Sequence, residues 1–188
     1  MEVNLNDMYE YIVRPDGIKI TNYLGSEKNV TIPSEIDGLP VTHIEDEAFS
    51  DKQLIEITIP DTVIHIMRMA FAFNQLTSVS IPNSVTTIGR GAFEDNQLTS
   101  VVIPDSVTSI EYSAFENNQL TSVSIPDSVT SIGWWAFSRN QLTDVTIGEI
   151  EVSLDIKEEN WVDYYREQIE ERLTRECLST IGNWELLD

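Results

Sequence analysis

The sequence has little positive charge and almost no cysteine. Its 188 residues contain 11 Lys and Arg against 32 Asp and Glu, which gives a formal net charge of −21. Nucleic acid and anionic lipid repel a chain this acidic, so neither is expected as a partner, whereas a basic protein is permitted. The one cysteine, Cys177, excludes an internal disulfide framework and is expected to be a small buried apolar residue.

A long apolar run and a secretory leader are also missing. No stretch is long and apolar enough to span a bilayer, so we predict no membrane insertion. The first four residues, Met-Glu-Val-Asn, lack the basic and apolar regions of a signal peptide. As written, the sequence therefore predicts a cytoplasmic protein; a secreted or cell-surface location is the alternative if a leader was removed.

Groups that could perform catalysis are sparse. The two histidines, His43 and His65, stand at equivalent positions before Ile44 and Ile66, and we expect both to be solvent-facing strand residues. The sequence shows no Gly-rich phosphate loop, Ser-His-Asp candidate, paired-cysteine site or calcium-loop spacing. We therefore predict a protein that is not an enzyme and that has no cofactor or metal site.

The sequence does contain a motif of 22 residues that is repeated in register. The same isoleucine position recurs as Ile59, Ile81, Ile103, Ile125 and Ile147. An Ala-Phe pair keeps the same step at residues 70–71, 92–93, 114–115 and 136–137. A period of this size predicts a solenoid, in which each coil buries its apolar face against its neighbours.

Each unit carries its own structural signals. Val79 and Ile81 alternate with serines, which predicts a short strand with its apolar side chains inward. Pro82 ends that strand, since it has no amide hydrogen, and Phe93 is predicted to fill the core. Just before each strand lies an asparagine column, namely Asn74, Asn96, Asn118 and Asn140. We interpret it as a ladder that satisfies backbone groups, with a polar ligand-binding row as the alternative.

The repeated motif L-x-x-V-x-I-P-x-S-V-x-x-I-G-x-x-A-F-x-x-N resembles the BspA-like leucine-rich repeats. The resemblance covers about Val30 to Ile147 and recurs in register. It implies a leucine-rich repeat solenoid that acts as a protein-interaction or adhesion module. Many proteins of that family are bacterial surface or secreted proteins.

The sequence predicts a mostly β protein of about five 22-residue coils between two end pieces. Residues 1–29 are expected to form a capping hairpin, 30–148 the solenoid, and 149–188 a last strand and an amphipathic helix. A small loop is expected near residues 35–39, where the isoleucine spacing is 27 rather than 22. The C-terminal helix would be a cap, or alternatively an element offered to a partner.

The most variable positions are the two residues before each Ala-Phe. They are Asp46-Glu47, Arg68-Met69, Arg90-Gly91, Tyr112-Ser113 and Trp134-Trp135. We predict that the first members stack as one ridge, less negative than its surroundings because its arginines bring forked donors. The predicted protein-binding residues, called the ridge site below, are Arg68, Met69, Arg90, Tyr112, Trp134 and Trp135. The alternative is that the two tryptophans receive the C-terminal helix.

Three function classes remain open from these features. The first function is non-catalytic protein interaction or adhesion, with a protein of unknown identity as partner. The alternative is an acidic cytosolic inhibitor or immunity-type protein that binds a basic toxin or nuclease. An enzyme whose site is not visible in the sequence is the third class.

Overall fold

The computed structural model describes residues 8–147 and 150–153, and over this part of the chain fifteen strands form two sheets without a helix. The first sheet, called the strand wall, contains β3 (Asn29–Thr31), β6 (Glu56–Thr58), β8 (Ser78–Ser80), β10 (Ser100–Val102), β12 (Ser122–Ile125), β14 (Asp144–Ile147) and β15 (Ile150–Ser153). The second sheet, called the short-strand wall, contains β1 (Tyr9–Arg14), β2 (Gly17–Tyr23), β4 (Glu35–Ile36), β5 (Leu39–Ile44), β7 (His65–Ile66), β9 (Thr87–Ile88), β11 (Ser109–Ile110) and β13 (Ser131–Ile132).

The strand wall stacks one parallel strand from each coil. Strands β8 and β10 pair with Val79 opposite Val101, a step of one repeat. Strand β3 pairs with β6 in the same way, with Val30 opposite Ile57, although this coil is five residues longer. The extra residues lie outside the paired strand, so this coil joins the array as a full member. The solenoid therefore has six coils, and the prediction of about five was too low.

The alternation within each strand is as the sequence predicts. Val79 is buried between the exposed Ser78 and Ser80, and Ile81 is buried beyond them. On the short-strand wall, Val85 and Ile88 are both fully buried at the two ends of their extended segment. Apolar side chains from both sheets thus meet in one continuous core.

A third hydrogen-bonded layer closes each coil, although it contains no strand. This turn wall comprises residues 46–51, 68–73, 90–95, 112–117 and 134–139. The amide of Phe71 donates to the Ala92 carbonyl (2.8 Å), and Met69 donates to Arg90 (2.8 Å). The same bonds recur from coil to coil, and each of them runs from an N–H in one coil to a carbonyl in the following coil. The coil-to-coil hydrogen bonds of the turn wall therefore all point in the same direction along the solenoid.

The Ala-Phe column fills the space behind the turn wall. Phe49, Phe71, Phe93, Phe115 and Phe137 are fully buried. Their rings stack at centroid separations of 5.2, 5.3, 5.4 and 5.4 Å along the array. The predicted inward placement of these phenylalanines is confirmed, and each ring packs against the ring of the neighbouring coil.

The asparagine column is a structural ladder, as predicted. Asn96 Nδ2 lies within hydrogen-bonding distance of the carbonyls of Phe71 (2.9 Å), Phe93 (3.2 Å) and Glu94 (3.2 Å). Its Oδ1 accepts the amide hydrogen of Leu76 at 3.1 Å. Asn74, Asn118 and Asn140 repeat this arrangement. The side-chain amide therefore joins adjacent coils through their backbones and is not available as a ligand-binding row.

The N-terminal end is closed by the predicted hairpin. Strands β1 and β2 pair antiparallel, and β2 pairs parallel with β5 of the first coil. Tyr23 stacks on Phe49 at 5.4 Å, and its amide donates to the Ala48 carbonyl (2.8 Å). The predicted loop is a small hairpin in which β4 pairs with β5.

At the other end, β15 pairs antiparallel with β14 and supplies the predicted last strand. The predicted C-terminal helix lies outside the described residues.

Candidate protein-binding ridge

The variable pairs lie at the start of the turn wall, where backbone bonds fix their positions. The carbonyls of Arg68, Arg90, Tyr112 and Trp134 each accept an amide hydrogen from the preceding coil, at distances of 2.8 to 3.0 Å. Because their carbonyls carry the coil-to-coil contact, these four residues stack in one column, as the sequence predicts. Their side chains are not needed for that contact and differ from coil to coil.

The second residue of each pair has a left-handed backbone. Met69, Gly91, Ser113 and Trp135 have φ values of 53°, 59°, 54° and 60°. Glycine adopts this conformation at no steric cost, whereas the other three side chains are held in it by the surrounding bonds. The repeat of a left-handed position could not be read from the sequence, because only one of these residues is glycine.

At the N-terminal part of the ridge site, Arg68 is held by two carboxylates. Its Nε lies 3.2 Å from Asp46 Oδ2, and its Nη2 lies 2.8 Å from Glu47 Oε1. The hydrogen bond to Asp46, together with the charges of both acids, raises the pKa of the Arg68 guanidinium. Arg68 is therefore paired with two acids and does not bring an uncompensated positive charge to the surface.

At the C-terminal part, the ridge site is aromatic. The Arg90 guanidinium carbon lies 4.7 Å from the centroid of the Tyr112 ring, a cation–π distance. Tyr112 in turn packs against Trp135, with centroids 5.3 Å apart and planes inclined by 55°. This contact crosses from the first member of one pair to the second member of the next pair. Met69 lies in the coil before Arg90 and is half-buried.

Two carboxylates behind the ridge site were missed by the sequence analysis. Ser113 Oγ donates to Glu116 Oε2 at 2.5 Å, and the other oxygen of Glu116 lies 3.6 Å from Arg139 Nε. Burial, and next the charge of Glu116, raises the pKa of Glu94. These acids follow Phe93 and Phe115 at the same repeat position, a signal that the sequence analysis did not use.

The ridge site offers exposed aromatic contact area. Trp134 and Trp135 are 46% and 43% exposed. The alternative role for them, as the seat of the C-terminal helix, involves residues outside the described part. Among the described residues, no group of three or more His, Cys, Asp or Glu side chains could hold a metal ion. No helix in that same part of the chain is long and apolar enough to cross a membrane.

Comparison with known proteins identifies related chains. Residues 42–157 match the family described as BspA type leucine rich repeat region, in six copies. No curated protein matches the chain. The T. pallidum leucine-rich repeat protein TpLRR is 32% identical, with a TM-score of 0.64, over 73% of this chain and 68% of that one. A leucine-rich repeat protein from Bacteroides ovatus is 26% identical, with a TM-score of 0.62, over 74% of this chain and 40% of that one.

The pneumococcal vaccine antigen PcpA, at 19% identity and a TM-score of 0.61, has the same fold over 81% of this chain and 54% of its own. Proteins of this repeat family generally bind other proteins, and the fold is typically non-enzymatic. The family match extends over more than half of the sequence. The chain belongs to the BspA-type leucine-rich repeat family.

Proposed function

We propose that the protein is a non-catalytic interaction or adhesion module that binds a partner protein through the ridge site. The observation that carries this proposal is the run Arg90–Tyr112–Trp135, in which a cation and two aromatic rings pack in sequence at an exposed surface. Arg, Tyr and Trp are the residue types that contribute most to interface hot spots. Met69 and Trp134 would extend the same contact area to either side.

The backbone beneath the ridge site favours tight recognition. Gly91 donates to Tyr112 at 2.8 Å, and Ser113 donates to Trp134 at 3.0 Å, so the main chain is held on both sides. The side chain of Tyr112 is also fixed between Arg90 and Trp135. A surface that is ordered before binding loses less conformational entropy on association.

The exposed face of the strand wall is a weaker candidate surface. Its outward residues include Ser78, Ser80, Ser100 and Ser122, which are small. Val102, which is 75% exposed, is its largest apolar residue in the central coils. Small hydroxyl side chains contribute little to most interfaces, so this face supplies matched control positions for the ridge site.

The proposal is tested with a partner isolated from the native host. We expect Tyr112→Ala and Arg90→Ala each to weaken affinity by at least about 1 kcal/mol, with modest salt dependence. Because Arg90 packs on Tyr112, the double variant should lose less than the sum of the two single losses. Ser100→Ala and Ser122→Ala on the strand wall are the controls and should bind normally.

The acidic-inhibitor alternative predicts the opposite result. Attraction between the acidic body and a basic partner would be long-range, and salt would slow association once the screening length falls to about 10 Å at 0.1 M. Normal affinity in both ridge variants, with a steep loss of association rate in salt, would replace the proposed function with that alternative.

We propose that the protein acts at the cell surface. Protease accessibility of the protein on intact host cells would test this location.

A further inference from the structure

The two histidines of the sequence lie side by side on the short-strand wall. His43 on β5 is directly opposite His65 on β7. Their ring centroids are 4.7 Å apart, with planes inclined by 47°. The sequence analysis placed them at equivalent positions but treated them as separate solvent-facing residues. The structure shows both rings half-buried and in contact.

The neighbouring Thr42 determines which nitrogen of His43 carries a hydrogen. The Thr42 hydroxyl donates to the Ile18 carbonyl at 3.3 Å, so its one hydrogen is used. His43 Nδ1 lies 3.0 Å from the same hydroxyl oxygen, and with that hydrogen directed at Ile18 we assign Nδ1 as the donor. In the neutral ring this leaves Nε2 of His43 with a lone pair. Metal-binding histidines commonly have this arrangement, with the second ring nitrogen hydrogen-bonded to a fixed acceptor.

The surroundings of His43 disfavour the charged form of its ring. Burial lowers its pKa below the usual value near 6.5, and the charges of Lys19 and His65 lower it further, against an opposing effect of Asp16. Lys19 is opposite His43 on the adjacent strand, and its ammonium lies 3.5 Å from Asp16 Oδ2. Within the described residues no hydrogen bond occupies a ring nitrogen of His65.

We propose that His43 and His65 together bind one divalent transition-metal ion, with water in its remaining coordination positions. Imidazole suits copper, nickel and zinc, and copper(II) should bind most tightly of these. Two nitrogens bonded to one ion at about 2.0–2.1 Å lie at most about 4 Å apart, and the two ring centroids are 4.7 Å apart. The ion would link the first coil to the second, beside the N-terminal hairpin.

The experiment is a titration of tag-free full-length protein with nickel(II), followed by calorimetry. The Cys177→Ser background removes the one thiol. We expect one nickel ion per chain with a concentration-dependent rise in Tm. His43→Ala and His65→Ala should each lower the affinity by at least about tenfold, a loss comparable to that for a supporting residue. The copper(II)-loaded protein should show two equatorial nitrogens by electron paramagnetic resonance.

A second pair of variants tests the role of Thr42. Thr42→Val keeps the volume of the side chain but removes the acceptor for Nδ1, so nickel affinity should fall about tenfold. Thr42→Ser keeps the hydroxyl and should retain the affinity. A merely structural role for Thr42 would change Tm in the metal-free protein and leave the affinity unchanged.

The His43→Ala/His65→Ala double variant measures binding by the acidic surface alone. Equal nickel binding in this variant and in the parent protein would overturn the proposal. Unchanged affinity in either single variant, or a copper spectrum with fewer than two nitrogens, would overturn it as well.

Discussion

The strand wall and the turn wall are built from the same repeat, yet they present different surfaces. On the strand wall, Ser78, Ser100 and Ser122 repeat one small residue. On the turn wall, the first residue of the variable pair changes from Arg90 to Tyr112 between neighbouring coils. Both walls use backbone hydrogen bonds between coils, so this contrast does not arise from how the coils are joined.

The contrast arises from what each wall requires of a residue. The strand wall requires extended residues that alternate between core and solvent. The turn wall requires a left-handed residue at the second position of each variable pair, while the residue before it contributes its carbonyl. The first residue is therefore constrained in its backbone and unconstrained in its side chain. Such a position can acquire a new binding residue without loss of the fold.

The largest expected effect comes from the core behind the turn wall. Phe115→Ala should destabilise the protein by about 3–5 kcal/mol, because the ring is fully buried and packs against Phe93 and Phe137. Ile103→Val, behind the strand wall, should cost only about 0.5–1.5 kcal/mol. Chemical denaturation measures both values. Hydrogen exchange should also accelerate in the coils on either side of Phe115; unaltered exchange there would show that the stack does not couple the coils.

An intermediate effect is expected at the corner between the two walls. Asn118→Ala leaves the Phe93 carbonyl and the Leu98 amide without the side-chain partners they now have, at 2.9 and 3.0 Å. A buried polar group without a partner costs about 1–3 kcal/mol, and we expect a loss of that size in denaturant melts. The adjacent Gln119→Ala changes an exposed side chain and should stay within about 0.5 kcal/mol. Equal stability of the two variants would contradict the stabilising role assigned to the asparagine ladder.

The smallest expected effect is a change in stability on substitution by glycine, which should have opposite signs on the two walls. Asp51 is exposed on the turn wall with φ of 53°, so Asp51→Gly removes backbone strain and should be neutral or stabilising by up to about 1 kcal/mol. Ser100→Gly on the strand wall should destabilise by about 0.5–1 kcal/mol, since glycine has no advantage in an extended strand. Melting temperatures of the two variants check this. A loss of stability at both positions would show that the left-handed site carries no relievable strain.

Much of the fold could be predicted because the same sequence pattern recurs in each of the six coils. The period identified the solenoid, the alternation around Val79 assigned the inward face, and the position of Asn96 before the strand indicated a backbone partner. The count of about five coils was one too low, although the sequence analysis had placed the longer first coil, with its loop near residues 35–39, within the solenoid at 30–148.

The ridge site was less predictable than the fold. Its column could be placed from sequence, because equal repeat positions stack. The partners of the two arginines could not: Arg68 is held by Asp46 and Glu47 of the preceding coil, whereas Arg90 packs on Tyr112 of the following coil. A long side chain contacts one neighbour or another according to its rotamer and the local charge, and neither of these recurs with the repeat period.

The direction of the hydrogen bonds in the turn wall determines what can close the array. Every coil offers amide hydrogens to the following coil and carbonyl oxygens to the preceding one. Whatever seals the N-terminal end must therefore give hydrogens, as Tyr23 does when its amide donates to the Ala48 carbonyl (2.8 Å). Whatever seals the C-terminal end of this wall must instead supply acceptors. A terminal piece made for one end would fail at the other, whereas whole coils can be added or removed between them without changing either closure.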